Sequence, residues 1–177
     1  MPRIISGHYG GIKLISPSKK NIRPTTDRVK EYIFNVIQNY ENEKVLDLFA
    51  GIGSLGIEAF SRGAKEVFLI DNNINSMKII VKNINLLASA DGIDFINSNV
   101  FTYLNNSNLM YDMIFADPPY KLKIKSDFFR DISDSLKNDG IFIFENSVKN
   151  DFDVDDYLKL IKEKKFGETG VWIYGKK

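Results

Sequence analysis

The fold is decided by residues 45–56, which read VLDLFAGIGSLG. An apolar run, a turn containing Gly51 and Gly53, and a segment suited to begin a helix follow one another within this stretch. Glycines let a backbone come close to a ligand, and the first turn of a helix presents free N–H groups. The stretch therefore predicts a strand, a tight turn and a helix that together form one end of a ligand site.

The rest of the chain alternates between apolar strands and helical segments in the same way. An amphipathic helix is predicted from Thr25, with Thr25, Thr26 or Asp27 as its cap. Further helices are expected from about residue 55, over 74–88 and around 128–136, and strands near 44–48, 66–70, 93–97, 110–116 and 141–145. Strands separated by helices form a parallel sheet covered on both faces. We therefore predict a doubly wound, Rossmann-like α/β fold.

Both ends of the chain predict hairpins. Residues 158–161 and 171–174 are apolar and flank the turn segment 166–170, which predicts an antiparallel hairpin and raises the number of strands to seven. Residues 3–15 carry three glycines between short apolar pairs, which predicts an N-terminal β-hairpin extension. We accordingly divide the chain into a basic arm over 1–24 and a single globular domain over 25–177.

The composition excludes several classes of protein. With 177 residues, 44% of them hydrophobic, the chain can bury one core. It has no cysteine and a single histidine, His8, so thiolate catalysis, cysteine-bound zinc and a Ser-His-Asp triad are not expected, and neither is a metal. No apolar stretch approaches the roughly 18 residues that cross a membrane. We expect a soluble cytoplasmic monomer.

The positive charge is concentrated at the start of the chain. Residues 1–30 contain seven Lys and Arg against one acid, so this part carries +6 and the remainder −5, for a net charge of +1. Clustered cations suggest an arm that contacts the phosphates of a nucleic acid. A charged hairpin facing only solvent explains the same numbers, and charge alone does not separate the two interpretations.

The glycine turn satisfies the GxGxxG pattern, so a nicotinamide or flavin dehydrogenase has to be considered. The acids around the turn favour S-adenosylmethionine, which lacks a pyrophosphate. Asp47 can receive the ammonium group of this cofactor, and Asp71, which ends the next strand, can accept both ribose hydroxyls. Phe49 and Asn72 complete this predicted part of the site. Alternatively, Asp47 is a turn residue and Asp71 lies at a helix cap.

The adenine of the cofactor is expected after the strand at 93–97. Asn99 carries an amide oxygen that can accept a hydrogen bond from the adenine N6 amino group, with Val100 or Phe101 against the ring. An aspartate is more usual at this position in such enzymes. The adenine contact predicted for Asn99 follows from position along the chain and from the chemistry of its amide.

Asp117-Pro118-Pro119-Tyr120 follows the apolar strand at 110–116. Two prolines end the strand and fix a rigid loop at the carboxyl edge of the sheet, where ligands of α/β folds bind. An exocyclic amine conjugated with a base is a poor nucleophile unless acceptors hold its N–H groups. Asp117 and the Pro118 carbonyl can be those acceptors, and Tyr120 can stack on the base. The loop therefore predicts methyl transfer to a planar amino group, against the alternative of a structural turn.

The loop alone leaves the acceptor open among adenine N6, cytosine N4, guanine N2 and a protein glutamine amide. The segments 3–7, 22–31, 117–120 and 166–169, together with the glycine turn, resemble the RsmD family of bacterial 16S ribosomal RNA guanine-N2 methyltransferases. The resemblance runs from residue 3 to about residue 174, and its most specific part is the run RPTTDRV at 23–29. It implies methylation of one guanine in small-subunit rRNA, within the 30S particle, with S-adenosylhomocysteine as the product.

The resemblance also implies that the N-terminal hairpin and the segment 23–28 face RNA. The candidate phosphate contacts are Arg3, Lys13, Arg23, Arg28, Lys121 and Lys123. Two departures from the family pattern are Asn99 and the pair Gly10-Gly11, which stands where an arginine-glycine pair is commoner. For Lys121 and Lys123 a solvated lysine loop is the alternative.

Three other functions remain open on sequence. A DNA adenine-N6 methyltransferase would use the same Asp-Pro-Pro-Tyr loop, although the chain has no room for a separate domain that reads duplex sequence. An RNA-binding module with a vestigial cofactor pocket and an NAD-dependent dehydrogenase are the others. Replacing Asp117 tests the second alternative, and competition by NAD tests the third.

Overall fold

The structure, a computed structural model, describes residues 2–17, 27–37, 40–41, 43–154 and 156–177. Its helices are α1 (Asp27–Val36), α2 (Ser54–Ser61), α3 (Ile74–Ile84), α4 (Val100–Asn106) and α5 (Ser126–Ser135). Its strands are β1 (Lys44–Leu48), β2 (Glu66–Asp71), β3 (Ile93–Asn97), β4 (Tyr111–Ala116), β5 (Leu136–Ser147), β6 (Leu158–Phe166) and β7 (Thr169–Lys176). No helix in the described ranges is long and apolar enough to cross a membrane.

The seven strands form one sheet in the order β3-β2-β1-β4-β5-β7-β6. Strands β1 to β5 are parallel, whereas β7 lies antiparallel between β5 and β6. The chain reverses direction across the sheet between β1 and β4, which places a crevice at the carboxyl ends of these two strands. The prediction of a doubly wound, seven-stranded α/β fold closed by an antiparallel hairpin is confirmed.

Hydrophobic side chains pack on both faces of the sheet. Along β1, Val45 joins the cluster that includes residues of α1, α2 and α3, whereas Leu46 and Leu48 join the cluster with α4 and α5. Because side chains alternate along a strand, Asp47 lies on the same face as Val45. The strand therefore presents one buried acid among apolar neighbours, on the face covered by α1, α2 and α3.

The N-terminal hairpin is tied to this same face. Its ladder is limited to one antiparallel bridge between Arg3 and Lys13, and Ile4 and Leu14 are fully buried in the core. Glu58 of α2 accepts hydrogen bonds from the backbone N–H groups of Ile5 and Ser6, at 2.7 and 3.0 Å. Residues 2–15 therefore pack on the domain through both apolar and polar contacts.

A buried ion pair supports the docked hairpin. Lys30 of α1 is fully buried, its Nζ lies 3.2 Å from Glu58 Oε2, and it donates to the carbonyl of Arg3. Burial lowers the pKa of Lys30, and the neighbouring Glu58 opposes that shift. Because this cation is enclosed, it is not available to RNA, although the charge count of the sequence includes it.

Some element boundaries differ from the predictions. Helix α3 ends at Ile84 rather than near 88, because the N–H groups of Leu86 and Leu87 bond to carbonyls only three residues back. Strand β5 begins at Leu136 rather than 141, because Leu136 already pairs with Tyr111. Helix α4 was not predicted at all. The predicted caps at Thr25 and Thr26 lie outside the described residues.

Candidate active site

A cleft of about 480 Å³ opens at the carboxyl edge of the parallel strands. It is bounded by the loop after β1, the end of β2 and start of α3, the loop after β4, and the end of β5. The lining residues are Asp47, Phe49, Ala50, Gly51, Ile52, Ser54, Leu55, Asp71, Asn72, Asn73, Ser76, Asp117, Pro118, Pro119, Tyr120 and Glu145. The structure thus brings the glycine turn and the Asp-Pro-Pro-Tyr loop to one cavity.

The glycine turn has a left-handed backbone conformation at three positions. Phe49, Gly51 and Gly53 have φ values of 58°, 58° and 79°, in the left-handed region that favours glycine. A Cβ at Gly51 would meet no heavy atom nearer than 3.8 Å, so this part of the turn borders open space. A Cβ at Gly56 would lie 2.3 Å from Leu69, so the absence of a side chain there lets α2 approach β2.

Asp47 is an acid held in apolar surroundings at the bottom of the cleft. It is 3% exposed, and its Oδ2 accepts a hydrogen bond from Gly56 N at 2.8 Å. Burial raises the pKa of Asp47 to about 7, the hydrogen bond opposes this shift, and the negative charge of Asp71 adds to it. A ligand that brings a positive charge would restore the ionised form of Asp47.

Asp71 connects two loops of the cleft. Its Oδ2 accepts from Gly51 N at 2.8 Å, and its Oδ1 accepts from Asn73 N at 2.7 Å. The cap of α3 is Asn73, whose side chain accepts from Asn75 N. Both Asp71 oxygens therefore stabilise loops that line the cleft. Asn72, which lies between Asp71 and Asn73 in sequence, is exposed and also lines the cleft.

The Asp-Pro-Pro-Tyr loop is anchored by hydrogen bonds to β7 and to the loop that follows β5. Pro118 is buried and Pro119 is exposed. The Tyr120 hydroxyl lies 2.8 Å from Thr169 Oγ1 at the start of β7, and Asn150 donates to the Tyr120 carbonyl at 3.1 Å. The ring and backbone of Tyr120 are therefore fixed by residues far from it in sequence, and sequence reasoning did not identify Thr169 or Asn150 as part of the site.

Glu145 is a further acid of the cleft that sequence reasoning missed. It lies near the end of β5 and is 6% exposed. The sequence signal was a charged residue at the end of the apolar run 141–144, immediately beyond the buried part of a predicted strand. An acid at that position is subject to the same reasoning that singled out Asp47 and Asp71.

The predicted adenine contacts lie outside the cleft. Asn99 is the cap of α4, and its Oδ1 accepts from the N–H groups of Phe101 and Thr102 at 3.0 and 3.2 Å. Val100 is buried, and the Phe101 ring packs edge-on against Phe49, with 6.2 Å between centroids. This geometry lends no support to an adenine contact by Asn99, because its oxygen already serves the helix, and the contact stays a prediction. Gly53 likewise supports the turn without lining the cleft.

The candidate RNA contacts occupy separate parts of the surface. Arg3 and Lys13 are exposed on the hairpin, and Arg3 Nε lies 3.7 Å from Asp27. The Arg28 guanidinium lies over the Phe166 ring at 5.7 Å from its centroid. Lys121 and Lys123 are exposed beside the Asp-Pro-Pro-Tyr loop. Arg23 lies outside the described residues.

The charge of the cleft restricts its ligand. Four carboxylates line it, from Asp47, Asp71, Asp117 and Glu145, and no Lys or Arg is among the described lining residues. Such a cavity disfavours the pyrophosphate of a dinucleotide and fits a cationic ligand with hydroxyl groups. S-adenosylmethionine, which has an ammonium group, a sulfonium and a ribose, meets these requirements. No grouping of His, Asp or Glu suited to a metal ion occurs within the described ranges.

Residues 2–175 match the family described as Conserved hypothetical protein 95, the RsmD family. The chain belongs to this family. The predicted family resemblance is therefore confirmed over nearly the whole chain.

Relatives of this RsmD family member include "Ribosomal RNA small subunit methyltransferase D" of Escherichia coli K12. It is 32% identical over 176 residues, which cover 97% of this chain and 88% of the relative. A "Putative rRNA methyltransferase YlbH" from Bacillus subtilis is 34% identical over 183 residues, covering 99% of both chains. Both relatives therefore match nearly the whole of this chain at similar identity.

Solved structures share the fold. A putative methyltransferase from Escherichia coli, yhhF, superposes with a TM-score of 0.88 at 31% identity, covering 99% of this chain and 97% of that one. SMU.776, a putative methyltransferase complexed with SAH, has a TM-score of 0.68 at 19% identity, over 86% of this chain and 50% of the other. The architecture is that of S-adenosylmethionine-dependent methyltransferases.

Proposed function

We propose that this protein transfers a methyl group from S-adenosylmethionine to the N2 amino group of a guanine in 16S ribosomal RNA. It acts in the cytoplasm, as a monomer, on the 30S particle. The observation that carries the proposal is the position of Asp117-Pro118-Pro119-Tyr120 in the same acid-lined cleft as the glycine turn. The name of the Escherichia coli relative supports rRNA as the polymer.

The cofactor half of the cleft is formed by β1 and β2. Asp47 would hold the ammonium group, Asp71 would accept the ribose hydroxyls, and the backbone around Gly51 would lie against the ligand. When bound, S-adenosylmethionine supplies a methyl group activated by its positively charged sulfur. Asp47 then becomes the counter-ion of the ligand, which offsets the cost of ionising it in apolar surroundings.

The catalytic half is formed by the loop after β4. Asp117 Oδ and the Pro118 carbonyl accept the two N–H groups of the target amine, so its lone pair faces the methyl donor. Asp117 also holds the proton that must leave when the amine is alkylated. Tyr120 stacks on the base, and its hydroxyl, fixed at 2.8 Å from Thr169, orients the ring. The base must leave its stack, which favours a loop nucleotide as substrate.

Replacing Asp117 by Ala tests the proposed function. Without this acceptor, methylation of 30S particles from cells that lack the enzyme should fall by about 100-fold or more. The affinity for S-adenosylhomocysteine, measured by calorimetry, should stay close to that of the wild type, because Asp47 and Asp71 hold that ligand. Mass mapping of the rRNA identifies the methylated atom.

The matched control is Asp139→Ala, which removes an exposed acid of β5 from the end opposite to the cleft. Its turnover should equal that of the wild type. Unaltered turnover in Asp117→Ala contradicts the assigned role. Incorporation of the methyl group into DNA adenine alone, in a parallel assay with duplex DNA, contradicts the choice of substrate.

A further inference from the structure

Glu145 is the acid of the cleft that the proposed mechanism does not use. It is 6% exposed, yet it lines the cavity together with Asp117 and Tyr120. A charged side chain that lines a ligand cavity is placed to contact the ligand and to fix its orientation. Its position in the sheet determines which ligand it meets.

The strand order places Glu145 on the acceptor side of the catalytic loop. The register of β4 and β5 pairs Ala116 with Phe144, so Asp117 and Glu145 are the next residues along these two neighbouring chains, and both line the cleft. The sheet order β2-β1-β4-β5 then puts Asp71, Asp47, Asp117 and Glu145 in succession along one edge. Since neighbouring strands lie about 4.8 Å apart, Glu145 is one strand from Asp117, and it is two strands from Asp47.

This succession separates the roles of the acids. Asp71 and Asp47 belong to the strands that carry the cofactor turn, and Asp117 lies at the centre. Glu145 lies beyond Asp117, on the side away from the glycine turn. A base whose amine is held by Asp117 would therefore extend its adjoining ring edge toward Glu145.

The chemistry of the base edges determines which base fits. Guanine carries an N1–H donor directly beside its N2 amino group, so two acceptors side by side match its Watson–Crick edge. In adenine and in cytosine the ring nitrogen beside the exocyclic amine is an acceptor, which a carboxylate repels. A buried carboxylate that faces the lone pair of such an acceptor is repelled by it. Because the carboxylate is buried, a hydrogen bond from water does not compensate for this repulsion.

We propose that Glu145 selects guanine by accepting a hydrogen bond from N1–H while Asp117 holds the N2 amine. This inference rests on the proposed function and deepens it, because it assigns the choice of base to one residue. Glu145 is then a specificity-determining residue of the reaction. Its effect should be visible in the ratio of rates for two bases rather than in the total activity alone.

The test exchanges the target guanine for 2-aminopurine. This base keeps the 2-amino group but has an acceptor at N1 and lacks the 6-carbonyl oxygen, so the change in preference between the wild type and Glu145→Gln reports the proposed contact. The target nucleotide is first located by mass mapping, and rRNA carrying either base is assembled by ligation and reconstituted into 30S particles. The values of kcat/KM are measured for the wild type, for Glu145→Gln and for the control Glu163→Gln, an exposed glutamate of β6.

The wild type and the control should prefer guanine over 2-aminopurine by at least about 100-fold, because the wrong base leaves a buried carboxylate facing an acceptor. In Glu145→Gln the preference should fall to within about threefold, since an amide can offer either an oxygen or an N–H group. The ratio is taken within each variant, so partial misfolding lowers both rates and leaves it unchanged.

The outcomes separate the two proposals. If the wild type does not methylate guanine N2 in natural particles, the proposed function fails. If it does, but uses 2-aminopurine equally well, or if Glu145→Gln keeps the wild-type preference, the assignment of Glu145 is overturned and the proposed function stands.

Discussion

At the scale of the residue, Asp47 makes the stability of the free protein depend on pH. Its pKa is raised to about 7 by burial, so the folded protein keeps this proton at pH values where the unfolded chain has lost it. The stabilising contribution is full at low pH and is lost as pH rises toward about 7. Asp47→Asn cannot ionise and should gain relative stability over this range, by up to about 4 kcal/mol. Thermal unfolding without ligand, from about pH 4 to about pH 8, measures the difference.

The control for Asp47 is Asp94→Asn, which changes an exposed acid on β3. Its unfolding temperature should follow that of the wild type at every pH. Added S-adenosylhomocysteine should stabilise the wild type more than Asp47→Asn at high pH, because only the wild type offers a counter-ion to the ammonium group. Parallel pH profiles for Asp47→Asn and the wild type would disprove the burial effect.

At the scale of the element, β7 holds the Asp-Pro-Pro-Tyr loop, the proposed catalytic loop, through Thr169. Thr169→Val keeps the shape of the side chain and removes the hydroxyl that lies 2.8 Å from the Tyr120 hydroxyl. Because one such hydrogen bond contributes about 1 kcal/mol, kcat should fall roughly fivefold. Steady-state kinetics with 30S particles gives kcat, and calorimetry gives the affinity for S-adenosylhomocysteine, which should not change.

The comparison variant is Thr102→Val, which makes the same chemical change on the exposed side of α4. It should leave kcat unaltered. A fall in cofactor affinity in Thr169→Val equal to its fall in kcat would point to a general loss of structure and would refute the positioning role of Thr169.

The elements that could be predicted from the sequence were those with a clear apolar run or a clear helical spacing of apolar residues. The strand at 93–97 and the strand beginning at 44 were predicted with the observed bounds, since apolar runs end there at turn residues. Helix α4 was missed because its seven residues give too short a pattern, although Asn99 before an apolar pair is a usual cap. The start of β5 at Leu136 could not be predicted, because it is defined by the pairing of Leu136 with Tyr111 of β4.

The residues of the candidate site likewise divide into those that the sequence could predict and those that it could not. Asp47, Asp71 and Asp117 could be singled out because each lies at or just beyond the end of an apolar strand, next to a turn. The contacts of Tyr120 with Thr169 and Asn150 could not, because they join residues 49 and 30 positions apart. The charge count of residues 1–30 included Lys30. Its burial against Glu58 could not be predicted, because it depends on how α1 and α2 pack together.

At the scale of the whole molecule, the lysines beside the catalytic loop should govern the affinity for RNA. Lys121 and Lys123 are exposed next to Tyr120. If both meet phosphates, the double variant Lys121→Ala/Lys123→Ala should raise KM for 30S particles by about tenfold at low salt. It should also reduce the slope of log KM against log salt by about 0.7 for each contact. The measurement is KM at several salt concentrations.

The double variant Lys78→Ala/Lys82→Ala serves as control, since both lysines are exposed on α3 and Lys82 lies in its last turn. The control should keep the wild-type slope. Equal slopes in all three proteins would show that the lysines after the catalytic loop face only solvent.

The position of β7 between β5 and β6 also has a consequence for the order in which the sheet assembles during synthesis. β6 precedes β7 in the chain, so β6 has no partner strand until residues 169–176 have been made. Until then its backbone is open to pairing with other chains, and the apolar side chains of Leu160 and Ile161 stay exposed even in the complete fold. The four lysines of β6, Lys159, Lys162, Lys164 and Lys165, repel a second copy of the strand. We therefore expect these lysines to protect from aggregation both the unfinished chain and the finished sheet, in which β6 is the edge strand.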